Sequence, residues 1–188
     1  MLFRSLSPLG KVPLLLVGED TVLFESAPIN EYLDEVTGSP RLQAEDPLTK
    51  ARDRAWIEFT SALLGEHWRM YASADQAAAL SAREALVRRL QILERDFGDG
   101  PLWRGSVMSL VDAAAAPLLQ RIVWTDQIAP AHAMLDDLPK VAAWAKALLG
   151  RRSVQRSTVP DIRERFAAYV RRPRADGPPG WLGSLEGP

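Results

Sequence analysis

The sequence predicts a mixed α/β unit followed by an all-helical body, and three observations carry that prediction. Two short apolar, β-prone runs, one of them Pro13 to Val17, flank the turn formers Gly18, Glu19 and Asp20, the pattern of a β-hairpin. Directly afterwards the period changes: Ile29, Tyr32, Leu33 and Val36 fall at i, i+3, i+4 and i+7, so a helix with one apolar face runs from about Ser26 to Val36. From Pro47 to Val170 the chain then reads as a succession of helical periods.

Within the first unit, Ser26 is placed to be the N-cap and Pro28 falls in the first turn, where a missing N–H costs little. The free N–H groups and dipole of a helix N-terminus attract an anion, so a small carboxylate can dock at Ser26; simple capping explains the same serine. Gly38, Pro40 and Pro47 frame a polar linker at residues 40–46.

Asp46-Pro47 supplies an N-cap and a first-turn proline for a long helix. Its apolar stripe, Leu48, Ala51, Ala55, Trp56, Phe59, Leu63 and Leu64, carries it to about Tyr71, with Arg52 and Arg54 on the solvated face. A break at Ser73 to Gln76 leads to a second helix ending near Phe97, before Gly98 and Gly100-Pro101. The short connection makes these two helices antiparallel neighbours.

Ser109 and Asp112 then form a capping box: the hydroxyl takes the amide proton three residues on, while the carboxylate reaches back to the Ser109 amide. Such a cap is worth on the order of 1 to 2 kcal/mol. The helix it opens, with Ala113 to Ala116, Leu118, Leu119 and Ile122, is apolar enough to be buried on most sides, and Pro117 should bend it. Another helix starts at Leu138-Pro139, passes Trp144 and stops at Gly150; a last one runs from Asp161 to about Val170. Residues 171–188, rich in Pro and Gly, read as a loose tail, from which Trp181 and Leu182 either dock back or do not.

Bulk properties narrow the function. A net charge of -1 and a pI near 6.2 give no electrostatic case for nucleic acid or an anionic membrane. No apolar run approaches the roughly 20 residues that span a bilayer, and the N-terminus lacks a signal-peptide layout, so a cytoplasmic protein is expected. Without cysteine there is no disulfide, thiolate nucleophile or cysteine metal site. His67 and His132 lack carboxylates at ligand spacing apart from Glu66, so no metal is expected, and His67 reads as a packed or surface histidine. The six tryptophans read as core and interface, with some near the long helices lining an apolar substrate cleft.

Two stretches carry a resemblance. Ser7-Pro8-Leu9-Gly10-Lys11-Val12-Pro13-Leu14, followed by Leu23-Phe24-Glu25-Ser26-Ala27-Pro28-Ile29-Asn30-Glu31-Tyr32-Leu33, resembles the glutathione-binding half of the cytosolic glutathione transferase superfamily. The Gly-x-x-x-Ser-x-x-Asp pattern ending at Asp112 and the Pro-x-x-x-x-Trp spacing ending at Trp144 resemble the helical domain of its bacterial members. The resemblance implies a partial thioredoxin-like unit over residues 1–39 and an all-helical domain over 47–170. It implies that Pro13 is cis, that the Val12 backbone pairs with the cysteinyl part of glutathione, and that Glu25 and Ser26 hold the γ-glutamyl amine and carboxylate. Lys11 matches a lysine that reaches the glycine carboxylate in some classes. Ser109 and Asp112 keep a folding role, and no catalytic residue is assigned.

The resemblance further implies glutathione as co-substrate, a small hydrophobic electrophile as second substrate, and a homodimer. The expected activity is conjugation, or glutathione-dependent reduction or isomerisation. Because family members open with a strand, a helix and a second strand before the segment matched here, the sequence is expected to be a truncated reading frame with impaired activity. A non-catalytic interaction module is the alternative, since fold alone does not separate the two.

Overall fold

The computed structural model describes residues 6–8, 10–38, 40–73, 75–172 and 180–182. Strands β1 (Leu14–Val17) and β2 (Thr21–Phe24) pair antiparallel, with Leu14 opposite Phe24 and Val17 opposite Thr21. Their tight reversal needs left-handed backbone, which Gly18 supplies at φ 65° without a Cβ penalty.

Helix α1 (Ser26–Thr37) follows at once, and here the structure corrects the assignment of Ser26 as N-cap. The cap residue is Glu25, at φ 65° and ψ 134°, and no side chain caps the helix. Glu25 absorbs the whole change of direction out of β2 in its left-handed backbone, so the helix opens one residue earlier than the hydroxyl pattern suggests. Ser26 lies inside the first turn, with its hydroxyl not spent on capping.

The hairpin and α1 are fastened to the rest by polar contacts. Buried Asp34 accepts hydrogen bonds from the amides of Leu42 (2.7 Å) and Gln43 (3.0 Å), and the Leu42 carbonyl accepts from the Leu110 amide (3.3 Å). Residues 40–46 are thus pinned from both sides. Arg54, expected only to be solvated, also donates to Glu31 through Nε (2.7 Å) and Nη2 (2.5 Å), while Arg52 is exposed. The guanidinium holds the Glu31 carboxyl below the usual carboxylate range. An exposed pair of this kind adds at most about 1 kcal/mol, so its main effect is to orient α1 on its neighbour.

Helices α2 (Pro47–Ala72) and α3 (Gln76–Asp96) form the expected pair. Asp46 accepts from the Thr49 amide at 2.8 Å, and Asp75 accepts from the amides of Ala77 and Ala78, so each helix starts on a carboxylate cap. Helix α4 (Leu110–Ile128) runs on through Pro117 and packs against α1, α2 and α5 (Pro139–Leu149). Val111, Ala115, Leu118, Leu119 and Ile122 have no exposed surface, as the apolar run predicts. The short α6 (Arg152–Gln155) and α7 (Ile162–Arg171) complete the body.

The capping box is present in both directions, and Asp112 does more than the sequence indicates. Fully buried, it accepts from the Ser109 amide (2.8 Å), the Ser109 hydroxyl (2.7 Å), the Trp103 amide (2.9 Å) and Nε1 of Trp144 (2.7 Å). The rings of Phe97, Trp103 and Trp144 lie against one another with centroids 5.0 to 5.9 Å apart, and Trp56 lies 5.0 Å from Trp103. Space for the turn carrying Trp103 depends on Gly100, where a Cβ would sit 2.2 Å from the Gly105 Cα. The tail expectation lies largely outside the described residues, but Trp181 and Leu182 are buried. The Trp181 amide donates to the Ser73 carbonyl (2.5 Å), and the indole lies 5.1 Å from the His132 ring.

Replacing Asp112 with Ala leaves several buried donors without a partner, so the expected loss rises from a cap's worth to about 3 to 5 kcal/mol. Urea titration checks this, and a loss below about 1 kcal/mol contradicts the network.

Candidate functional site

The hairpin and the start of α1 bring most of the predicted residues together. Lys11, Val12, Pro13 and Glu25 border one recess with Ser7 and Phe24, and the Val12–Pro13 peptide is cis. The Ser7 hydroxyl accepts from the Lys11 amide (3.0 Å) and donates to the Lys11 carbonyl (3.1 Å), fixing the approach to Val12, which is 78% exposed. Ser26 follows Glu25 directly but borders the next groove rather than this recess.

Chemically, an exposed glutamate, Glu25, occupies the N-cap position of α1, directly before an exposed serine, Ser26, in the turn whose amides open the helix. One side attracts an ammonium and the other a carboxylate, which together match the two charges of an α-amino acid head. Lys11 offers a separate cation on the same recess.

Two further depressions continue from Ser26. A groove of about 200 Å³ runs between α1, α2 and α4, bordered by Ser26, Asn30, Ser61, Leu64, Ala113 and Pro117 among others. Leu64 is shared with a larger cleft of about 480 Å³, whose walls are His67, Trp68 and Tyr71 of α2, Arg121 and Trp124 of α4, and Ile162, Arg165, Phe166 and Tyr169 of α7. The Phe166 ring centroid lies 5.3 Å from Trp124 and 5.6 Å from Tyr71, and Nε1 of Trp68 donates to the Tyr169 hydroxyl at 3.3 Å. A concave, ring-lined space of this volume suits one small organic molecule. The sequence pointed to tryptophans near the long helices, but not to Arg121 or to the rings of α7. A search for apolar periodicity passes over an arginine, although Arg121 stands one helical turn before Trp124. Among the described residues no group of three His, Cys, Asp or Glu side chains could hold a metal ion.

Comparison with known proteins agrees with this architecture. The family model "Glutathione S-transferase, N-terminal domain" matches residues 1–36, and "Glutathione S-transferase, C-terminal domain" matches residues 57–151. Glutathione S-transferase 3 of Glycine max is 24% identical over 173 residues, spanning 90% of this chain and 77% of that protein. A stringent starvation protein A homolog of Coxiella burnetii is 32% identical over 118 residues, spanning 63% of this chain and 56% of that protein. Among solved structures, rice GST1 in complex with glutathione superposes with a TM-score of 0.75 at 22% identity, covering 89% of this chain and 78% of that one. Glutathione transferase Omega 3C from Trametes versicolor gives 0.72 at 24%, covering 89% and 74%. These likenesses establish the fold: the hairpin with α1 is part of a thioredoxin-like unit, and the helices after it form the helical domain. The relatives come from plants, fungi, an animal and bacteria and do not single out a bacterial group.

Two titratable groups carry strong burial shifts, His67 at the cleft and the partly buried Asp126 on α4. His67 has no exposed surface, and its Nε2 is 2.9 Å from the Thr125 hydroxyl, which itself donates to the Arg121 carbonyl (2.9 Å). Nε2 therefore carries the proton, and Nδ1 is left as a buried acceptor without a partner. Burial, aided by the Arg121 charge, lowers the imidazole pKa to about 3, so the ring is neutral. Asp126 accepts from the amides of Met134 (3.0 Å) and Leu135 (3.2 Å), and burial raises its pKa to about 6.

The two act oppositely on stability. A neutral buried imidazole loses stability as pH falls below the unfolded value near 6.5, because the unfolded chain binds the extra proton. A carboxyl with a raised pKa gains stability as pH falls from about 6 towards 3.8. Between pH 6 and 4 the two largely offset. Asp126→Asn exposes the histidine slope, a loss of about 1.4 kcal/mol per pH unit beyond the wild-type trend. Urea titrations across this range check it, and parallel pH profiles for variant and wild type contradict it.

Proposed function

The chain belongs to the glutathione S-transferase family, and on that footing we propose that its hairpin and α1 bind glutathione for transfer to a small hydrophobic electrophile. The observation that carries this reading is the exposed Glu25 at the N-cap of α1, directly before Ser26, which borders a groove that shares Leu64 with a ring-lined cleft.

In this reading the γ-glutamyl ammonium pairs with Glu25 and the γ-glutamyl carboxylate sits at the N-terminus of α1 on Ser26. The backbone of the exposed Val12, which precedes Pro13, pairs with the cysteinyl unit, and Lys11 meets the glycine carboxylate. The electrophile occupies the aromatic cleft beyond Leu64. These residues bind and orient. Among the described residues the one hydroxyl side chain bordering the Lys11–Glu25 recess, that of Ser7, is committed to the Lys11 backbone, so lowering of the thiol pKa is not assigned to it.

One relative favours a second reading. The Coxiella burnetii protein, 32% identical, carries the name of a starvation protein and not of a transferase. A fold of this kind can also serve as a binding module without turnover.

Calorimetric titration of the chain with glutathione tests the first reading. Glu25→Gln and Ser26→Ala are each expected to weaken binding roughly tenfold or more, about 1.4 kcal/mol, because each removes a partner of a charged group. Binding untouched by both changes, or no binding by the wild type, overturns the placement. Turnover of an electrophilic aryl halide separates enzyme from module. The family resemblance also supports a homodimer, for which sedimentation equilibrium should give twice the 20.8 kDa chain mass; a single-chain species contradicts it.

A further inference from the structure

The net charge of -1 averages over unlike segments. Residues 146–172 carry eight Lys and Arg against two Asp and Glu, a balance of +6, whereas residues 1–46 carry three against eight, a balance of -5. From residue 151 to residue 172 all seven cations are arginine and all are exposed. Among the described residues Arg151, Arg152, Arg156, Arg163 and Arg172 form no ion pair. Arg165 is paired with Asp161, Nε to carboxylate at 3.0 Å, but an exposed pair on one helix face gives way to another anion at little cost. On α7 the buried Phe166 and Val170 turn inward, while Arg165, Tyr169 and the C-cap residue Arg172 fall at i, i+4 and i+7 along a different stripe. At about 1.5 Å of rise per residue the two arginines stand about 10 Å apart along the axis, with the tyrosine between them.

We propose that segment 151–172 is a docking surface for a single-stranded nucleic acid, with phosphates on its arginines and bases stacked on Tyr169 and Trp68. Three observations converge. Tyr169 is 51% exposed and Trp68 is 45% exposed, and the Trp68 indole donates to the Tyr169 hydroxyl at 3.3 Å, so a pair of large rings is held at the surface on the arginine stripe. Rings interleaved with cations suit a strand whose bases are free to stack, because every base has a π-face to offer. The exclusive use of arginine points the same way, since its planar fork grips a phosphate through two N–H groups and also stacks on a base, whereas lysine supplies a point charge. Finally, Arg152 and Arg156 lie one turn apart on and beside α6, the Arg156 amide donating to the Arg152 carbonyl (2.9 Å), and the exposed Ser153, Gln155 and Thr158 among them add uncharged donors of the kind that meet phosphate oxygens. An acidic peptide or an anionic vesicle answers the charge but makes no use of a base-stacking platform.

The test is fluorescence anisotropy of a fluorescein-labelled oligouridylate titrated with the full chain over a series of salt concentrations. The wild type should bind at low salt, with log K falling against log salt by about 0.7 for each phosphate neutralised. Arg152→Gln, Arg165→Gln and Arg172→Gln combined should make that slope shallower by about 2. Tyr169→Ala should weaken binding roughly tenfold at an unchanged slope, and Tyr169→Phe should restore it, because stacking needs the ring and not the hydroxyl. Arg52→Gln, an exposed arginine of α2, should alter neither quantity. Poly-glutamate of the same charge should bind more weakly than the oligonucleotide. Should the triple variant lose its helical circular dichroism, Arg172→Gln alone must still reduce the slope by about 0.7. Several results overturn the proposal: no oligonucleotide binding at low salt, a slope untouched by the arginine changes, or Tyr169→Ala binding like the wild type. Equal loss in Arg52→Gln, equal affinity for poly-glutamate, or binding to phosphatidylserine vesicles without binding to the oligonucleotide overturns it as well.

Discussion

A buried carboxylate that receives four hydrogen bonds is the constraint on which the rest of the structure depends. Asp112 gathers the Ser109 amide and hydroxyl, the Trp103 amide and the Trp144 indole, and so joins the start of α4 to the turn before it and to α5. A polar group without exposed surface is tolerable only when its lone pairs are met, and here the partners come from three separate stretches of chain. The ring stack of Phe97, Trp103 and Trp144 closes over the same point and keeps water out. Once α4 is fixed at its N-terminus, its fully buried face sets where α2 lies, and α2 and α4 are two of the three walls of the aromatic cleft.

The small unit is held in place by different means. It contributes few core residues, and its attachment relies on Asp34 reaching the Leu42 and Gln43 amides, on the Leu42 carbonyl meeting Leu110, and on the Glu31–Arg54 pair. These contacts place the opening of α1 over the groove that leads past Leu64. The groove bordered by Ser26 and the ring-lined cleft thus meet at Leu64, positioned by separate parts of the fold of a glutathione S-transferase family member.

Much of this was legible in the sequence because it is encoded locally. The hairpin follows from Gly18 between two β-prone runs, α2 from Asp46-Pro47, and the capping box from the three-residue spacing of Ser109 and Asp112. What escaped was long-range or conformational. A serine before an apolar period looks like a cap whatever its neighbour does, and only the left-handed backbone of Glu25 moves the boundary. The indole of Trp144 reaches Asp112 across 32 positions, and Arg54 meets Glu31 across 23, distances at which periodicity carries no information. Docking of Trp181 depends on a close approach between Gly180 and the backbone of Tyr71 and Ala72, which no pattern within the tail announces.

The central claim is that one molecule can hold its amino acid head at Glu25 and Ser26 while its far end reaches the rings beyond Leu64. A crystal structure of the chain with S-benzylglutathione tests this most directly. The account predicts the γ-glutamyl carboxylate within hydrogen-bonding distance of the Ser26 hydroxyl and the opening amides of α1, the ammonium on Glu25, and the benzyl ring directed past Leu64. A glutamyl head bound anywhere else, with Glu25 and Ser26 free of ligand, contradicts it.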